Sequence, residues 1–491
     1  MCDNDIATYV GYKGFSIYKN NISVEEEQML RKELNVKPFV PKSSLIKPQS
    51  FPVYRESSTK IYVPRFYGLE VYGEADEMRI KDGKKINLKF NGELRPKQKP
   101  VVEKYMKHIK KKGSGLLALH TGFGKTCLAL NIISRINQKT LIIVHKEFLL
   151  RQWVERIEQF LPDARVGKIQ AKTIDTEDKD IVICMLQSLS MKDYPKDMFK
   201  EYGLSIYDEC HHLSAEVFSR AFFKVVTKYG LGLSATMKRK DGLTKVLKWF
   251  LGPIVCKIER KGEDNVLVKA INYETNDEEF NNVLLNFRGQ VNYTGMIKKI
   301  CEFNRRSEFI LKVLSDLLKD NPNQQIMILG HQKKLLQYLH DAIRHRTIST
   351  VGYYVGGMKE KDLKISEGKK VIIATYAMAE EGLDIKTLTT LIMATPKVDV
   401  TQSVGRILRQ KHKQAIVVDI VDPHMLFQRH FGKRRTFYKK SKFKIVQTNM
   451  TGYQNDNWET IYDPINKIKK SFSKATKKED KLLQGVCLIS D

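Results

Sequence analysis

No two cysteines fall in a Cys-x-x-Cys spacing: the seven, Cys2, Cys127, Cys184, Cys210, Cys256, Cys301 and Cys487, are scattered over 491 residues. A zinc knuckle built from them is disfavoured, and an odd, dispersed count fits reduced thiols inside a cell better than a disulfide framework. No apolar run approaches the ~20 residues needed to span a bilayer, and the opening MCDNDIATYV has neither a basic n-region nor an apolar h-region. Membrane insertion and secretion are not expected; the chain reads as a soluble intracellular protein of the cytoplasm or nucleus. No fixed-period repeat is visible. Carboxylates are the scarcer charge, 56 Asp and Glu against 85 Lys and Arg, which gives a formal net charge of +29. That excess points to a polyanionic partner, with nucleic acid favoured over anionic lipid.

The length suffices for roughly three domains of about 150 residues, and 42% hydrophobic with 29% charged residues is a globular balance. Residues 1–93 are aromatic-rich and strand-like, as in KIYVPRFYGLEVYG (Lys60 to Gly73), and carry no chemical motif; a small β-rich accessory domain is expected there. Two regions then repeat short β-branched or aliphatic runs separated by helical stretches. In the first they are Leu116 to Leu119, Leu141 to Val144, Ile181 to Met185 and Leu204 to Tyr207; in the second, Ile326 to Leu329, Val371 to Ala374, Leu391 to Ala394 and Ala415 to Ile420. Such alternation predicts two parallel α/β sheets covered by helices, over 94–256 and 305–430. The polar stretch 257–304 has no clear strand series and reads as a connector. From 431 the chain turns basic: KRRTFYKKSKFK (Lys433 to Lys444) sets seven cations among aromatics, and KIKKSFSKATKKEDK (Lys467 to Lys481) follows. A solvated tail and a nucleic-acid contact are the two readings, the second favoured because aromatic interleaving suits stacking.

LLALHTGFGKTCLAL (Leu116 to Leu130) runs from an apolar strand through a glycine-containing loop into a helix. Gly122 and Gly124 allow close backbone approach, so the NH groups of the loop His120, Thr121, Gly122, Phe123 and Gly124 can face phosphates at a helix N-terminus. Lys125 would reach the β and γ phosphates of ATP, and the Thr126 hydroxyl would hold Mg²⁺. Leu119 occupies the first glycine position of the full G-x-x-x-x-G-K-[ST] pattern, so a chance match on a flexible loop is the bland alternative. GLSIYDECHH (Gly203 to His212) weighs against it, ending a second strand with two carboxylates. Asp208 is placed to reach Mg²⁺ and Glu209 to orient the attacking water as general base. Three adjacent residues, Cys210, His211 and His212, point in different directions and do not easily close a tetrahedral zinc site.

The series HTGFGKT, DECHH, GLSAT (Gly232 to Thr236), VIIATYAMAEEGLDI (Val371 to Ile385) and QSVGRILRQ (Gln402 to Gln410) resembles superfamily 2 DExH-box helicases, in order and over roughly Leu94 to Asp422. LRPKQ (Leu94 to Gln98), MLQSL, SATMKRKDG and LGP make it most similar to the XPB and UvsW-type group, including members from phages and large DNA viruses. The fold implied is two tandem RecA-like parallel-sheet domains with a β-rich N-terminal domain and a basic C-terminal extension. The resemblance implies that Gln98 recognises adenine with Arg95 beside it, and that Ser234 and Thr236 couple the nucleotide site to strand movement. It places Thr375, Glu381, Gly382 and Asp384 at the interface of the two lobes, near nucleic-acid backbone and ribose. Gln402, Arg406 and Arg409 fall on a predicted helix whose offsets of four and three keep them on one face. The guanidinium groups of Arg406 and Arg409 would neutralise charge on the transferred phosphoryl group across the cleft. Arg239, Lys240 and Asp241 stand where XPB-type members carry R-E-D, which reverses the central charge. The function implied is an ATP-dependent helicase or translocase, monomeric, on DNA in preference to RNA, with 3′-to-5′ polarity. The same motor acting on transcription machinery, and an ATP-gated structural protein packaged in a virion, are the competing readings.

Overall fold

The computed structural model describes residues 7–39, 48–212, 216–235, 237, 241–260, 264–382, 385–408, 410 and 412–465. The chain divides into two compact units after Glu259. In the first, strands β1 (Thr8–Gly11), β2 (Gly14–Tyr18), β5 (Arg55–Glu56), β6 (Lys60–Val63) and β7 (Glu77–Met78) form a sheet of order β5-β6-β2-β1-β7, and β3 (Asn35–Val36) pairs with β4 (Phe51–Pro52). Its apolar face, with Val10, Phe15, Ile17, Ile61 and Val63, shares one core with Val246 and Trp249 of the helix Thr244–Leu251 and with Leu243, which precedes it. The N-terminal sheet is therefore packed onto the motif-bearing part of its unit. The strand-like reading of Lys60 to Gly73 holds only to Val63. Pro64 has no NH for the ladder, and the chain turns into the helix Arg65–Val71. Gly68 of that helix lies against Phe15, whose ring a Cβ would meet at 2.2 Å.

The large sheet of the first unit has strands β8 (Ser114–Leu119), β9 (Thr140–Val144), β10 (Val166–Gln170), β11 (Thr173–Asp175), β12 (Ile181–Met185), β13 (Leu204–Tyr207), β14 (Tyr229–Ser234) and β15 (Ile254–Ile258), in the order β11-β10-β12-β9-β13-β14-β8-β15. Every pairing is parallel except β10 with β11. Alternate residues feed opposite cores: Leu117, Leu119, Ile142 and Val144 face one, and Leu116, Ala118, Leu141 and Ile143 the other. Burial on both faces is why these strands are continuous apolar runs in the sequence.

The second unit repeats the plan. Strands β16 (Val266–Asn272), β17 (Gln325–Gly330), β18 (Val351–Tyr354), β19 (Val371–Thr375), β20 (Leu388–Met393), β21 (Ala415–Val421), β22 (Lys444–Asn449) and β23 (Glu459–Tyr462) are ordered β18-β19-β17-β20-β21-β16-β22-β23. All pairs are parallel except β22 with β23. Two sequence expectations are corrected here. The stretch 257–304 contains an interior strand, β16, hydrogen-bonded on both sides, because Val266, Val268, Ala270 and Ile271 are buried between β21 and β22. The basic run Lys433 to Lys444 is also folded. It lies in the helix Met425–Lys440 and enters β22, with Phe431, Arg434 and Tyr438 buried on one helical face. Lys467 to Lys481 lie outside the described residues. No described helix is long and apolar enough to cross a membrane.

Candidate nucleotide site

Strands β8, β14 and β13 are parallel neighbours, so the segments leaving them emerge at one end of the sheet. After β8 come His120 to Gly124, then the helix Lys125–Ile136. Gly122 has φ +84° and Gly124, the helix N-cap, φ +88°. Both are left-handed conformations that a Cβ opposes, and at 124 a Cβ would also lie 2.5 Å from the Gln98 amide. The loop is tethered from within. The Gln98 NH₂ donates to the carbonyls of Phe123 at 2.9 Å and Gly124 at 3.2 Å, while its oxygen accepts from the Arg95 backbone NH at 2.9 Å. The Arg95 guanidinium donates to the Gly122 carbonyl at 3.3 Å. Gln98, expected at adenine, is thus buried with its amide engaged by the loop. His120 Nδ1 lies 2.8 Å from the Thr121 carbonyl, and its ring meets Phe123 edge-on.

Asp208 and Glu209 follow β13 directly. Glu209 has φ +47°, an uncommon conformation for a residue with a Cβ. Its Oε1 accepts from Lys125 Nζ at 2.7 Å, and its Oε2 lies 3.4 Å from His211 Nδ1. That same His211 nitrogen is 2.9 Å from Ser234 Oγ at the end of β14. Lys125, Glu209, His211 and Ser234 therefore form a chain of contacts from the loop to the Gly232 to Thr236 segment. Asp208 is held separately: the Trp153 indole donates to Oδ2 at 2.9 Å, and the Glu209 NH to Oδ1 at 3.0 Å. Burial and the adjacent Glu209 charge raise the Asp208 pKa against the opposing pull of Lys125 and Trp153. At Glu209, burial works upward but Lys125 and His211 outweigh it, and the carboxyl stays ionised far below the ordinary range. Thr126, in the first turn after Lys125, and Asp208 offer a hydroxyl and a carboxylate, the oxygen donors Mg²⁺ takes alongside phosphates and water. Nothing in the residue pattern marks Trp153 as the partner of Asp208, and His211, weighed from the sequence only as a zinc ligand, instead joins Glu209 to Ser234.

Thr236, Asp384 and Arg409 lie outside the described residues. Of the other second-unit candidates, Thr375 ends β19 and its hydroxyl accepts from the Met378 NH at 3.4 Å, over the helix Tyr376–Gly382 that closes with Gly382. Gln402 and Arg406 share the helix Thr401–Arg406; the single helix expected to carry all three arginine-motif residues stops at Arg406. Side chains the sequence did not single out hold the segment leading into it. Arg306 donates to the Ala394 carbonyl at 2.8 Å, Tyr376 to Thr395 at 2.6 Å and Arg434 to Lys397 at 2.7 Å. Both arginines are buried in carboxylate pairs, Arg306 with Asp422 and Arg434 with Asp419. In MLQSL, Gln187 donates to the His145 carbonyl at 2.9 Å, and the Ser188 hydroxyl accepts from the Ala171 NH.

A phosphate loop, a pair of carboxylates and a serine at one end of a parallel sheet, with a second such sheet following, define a nucleotide-hydrolysing motor. Comparison with known proteins gives the class its family. Residues 91–239 match the family model described as type III restriction enzyme, res subunit. The chain is 35% identical over 458 residues to a candidate ATP-dependent RNA helicase of Acanthamoeba polyphaga mimivirus, covering 90% of this chain and 87% of that one. It is 28% identical over 398 residues to a candidate ATP-dependent RNA helicase of African swine fever virus, covering 75% and 77%. Among solved structures, T4 UvsW aligns with 90% of this chain and 99% of its own at 18% identity and a TM-score of 0.35. The chain belongs to the superfamily 2 helicases, in the group that includes these proteins of large DNA viruses, and is an ATP-hydrolysing enzyme.

Proposed function

We propose that this helicase moves along DNA in the 3′-to-5′ direction, coupling ATP hydrolysis at the ends of β8, β13 and β14 to strand displacement. The observation that carries the coupling is the contact chain from Lys125 through Glu209 and His211 to Ser234. Lys125 neutralises Glu209 while no phosphate is present. When triphosphate enters the loop, the ammonium turns to the β and γ oxygens, and Glu209 is released to accept a proton from the attacking water. His211 feels that change of charge directly and passes it to Ser234. Thr126 and Asp208 would hold Mg²⁺, which supplies charge neutralisation on the phosphates. Gln98 and Arg95 keep the loop carbonyls turned inward, leaving its NH groups for the nucleotide. Arg406 and Arg409 keep the charge-neutralising role that the family resemblance gives them, with Gln402 beside them in the same motif.

The preference for DNA rests on the sequence resemblance to the XPB and UvsW-type group. RNA is the second reading, favoured by the printed names of the mimivirus and African swine fever virus relatives. ATPase activity of the full chain should be measured with single-stranded DNA, duplex DNA, forked DNA and RNA. Stronger stimulation by DNA is expected; greater stimulation by RNA overturns the preference. Displacement from duplexes with a 3′ or a 5′ tail tests polarity, and a requirement for the 5′ tail reverses it.

A further inference from the structure

Between β16 and the helix Tyr293–Glu302 the chain makes a short excursion that the ATP chemistry does not use. Leu285 and Val291 form an antiparallel bridge, and the Asn286 NH donates to the Gln290 carbonyl at 2.7 Å. The Asn286 side chain accepts from the NH groups of Arg288 at 2.9 Å and Gln290 at 3.1 Å, which fixes the turn. The stem is anchored as well: Lys299 donates to the Asn282 carbonyl at 2.7 Å, and Asn292 caps the following helix by accepting from the Gly295 NH. This is a built hairpin with an apolar end. Phe287 at its tip is 78% exposed, Leu285 58% and Val283 46%, and the Arg288 guanidinium lies 5.2 Å from the Phe287 ring centroid.

A folded chain does not usually hold so much apolar surface in water without a partner for it. We propose that the tip, Phe287 with Arg288, packs against nucleobases of the bound strand. Three observations favour that occupant. An aromatic ring beside a guanidinium is the pair that stacks on bases and reaches phosphate together. The hairpin 282–292 contains no Asp or Glu and carries Arg288 at its tip, whereas Glu278, Glu279 and Glu302, the last paired with Lys298, lie beyond its stem, so no carboxylate of the hairpin itself repels a phosphate backbone. The apolar residues also end in a narrow two-stranded tip, which offers far less than the ~800 Å² per partner of a stable protein interface. The inference rests on the nucleic-acid substrate of the reading above.

The test uses the full chain with a deoxythymidine 20-mer and a uridine 20-mer. Phe287→Ala should weaken binding of whichever oligomer the wild type binds by about 5- to 100-fold, with basal ATPase unchanged as the control for folding. The salt dependence of binding should keep its slope, because no cation is removed. Phe287→Trp should restore affinity, and its added emission should be quenched by the oligomer. Unaltered affinity in Phe287→Ala, or unquenched emission in Phe287→Trp, overturns the proposal. Loss of self-association in Phe287→Ala with oligomer binding intact also overturns it and assigns the tip to a second copy. If the wild type binds a forked duplex but neither oligomer, the proposal is overturned; if it binds none of the three, it is the nucleic-acid reading that fails.

Discussion

Arg434→Met tests whether the basic run after Phe431 is part of the interior of the second unit. The guanidinium makes bonds of 2.7 and 2.8 Å to Asp419 and a third of 2.7 Å to the Lys397 carbonyl, and Asp419 also accepts from Tyr438 at 3.0 Å. Both members of the pair are fully buried. Without the cation, a buried carboxylate keeps one neutral donor, a loss of ~3–5 kcal/mol by the behaviour of broken buried pairs. The Lys397 carbonyl loses its donor too, for about 1 kcal/mol more. Against a typical domain stability of about 5–15 kcal/mol, that is a large fraction. Arg434→Met/Asp419→Asn removes both charges yet keeps an acceptor for Tyr438, and should recover about 2 kcal/mol or more. Native-state amide exchange by mass spectrometry, followed on peptides from β20 and β21, reads both. At ~1.4 kcal/mol per tenfold, the combined ~4–6 kcal/mol should make the single variant exchange about 10³- to 10⁴-fold faster there. Exchange within about threefold of wild type, or a double variant that opens as often as the single one, would refute the electrostatic reasoning.

Glu209→Gln should retain ATP binding and lose turnover by about 10²-fold or more, as removal of a general base does; unchanged turnover in a steady-state assay would show that another group takes the proton. Gln98→Ala removes the donors to Phe123 and Gly124, so KM should rise alike for ATP and GTP, whereas a loss confined to ATP would return Gln98 to an adenine contact. Burial, with Lys397 and His430 nearby, lowers His331 from 6.5 to about 4. Between those values the unfolded chain binds a proton that the native state refuses, so stability falls as pH drops from 6.5 toward 4. His331→Asn should flatten that part of a pH series of urea melts, modestly because the ring edge is exposed; identical slopes would count against it.

The eight strands read from composition are all present because burial on both faces leaves an uninterrupted apolar run. β16 escaped notice because Leu267 and Lys269 are only partly covered and the run VLVKAIN is broken by a lysine, whose ammonium lies over Trp458. The motif boxes were legible because their chemistry fixes residue types at short spacings. Their supports were not. Arg306 and Arg434 look like any surface cation, and only the fold reveals that Asp422 and Asp419 wait for them in the interior. Helical offsets aligned Gln402 with Arg406 but could not say that the helix stops there, since periodicity tells which residues share a face and not where a helix ends.

The position of β16 also has a consequence for synthesis. Its ladder partner β21 begins about 150 residues later in the chain, which at ~5–20 residues per second is roughly 7–30 s of translation. During that interval a seven-residue strand has neither of its neighbours, since β22 emerges later still. The second unit cannot complete its sheet progressively from the ribosome. A nascent chain stalled before 415 should leave β16 unpaired and aggregation-prone, and one with residues up to 449 clear of the ribosome should have β16 paired on both sides.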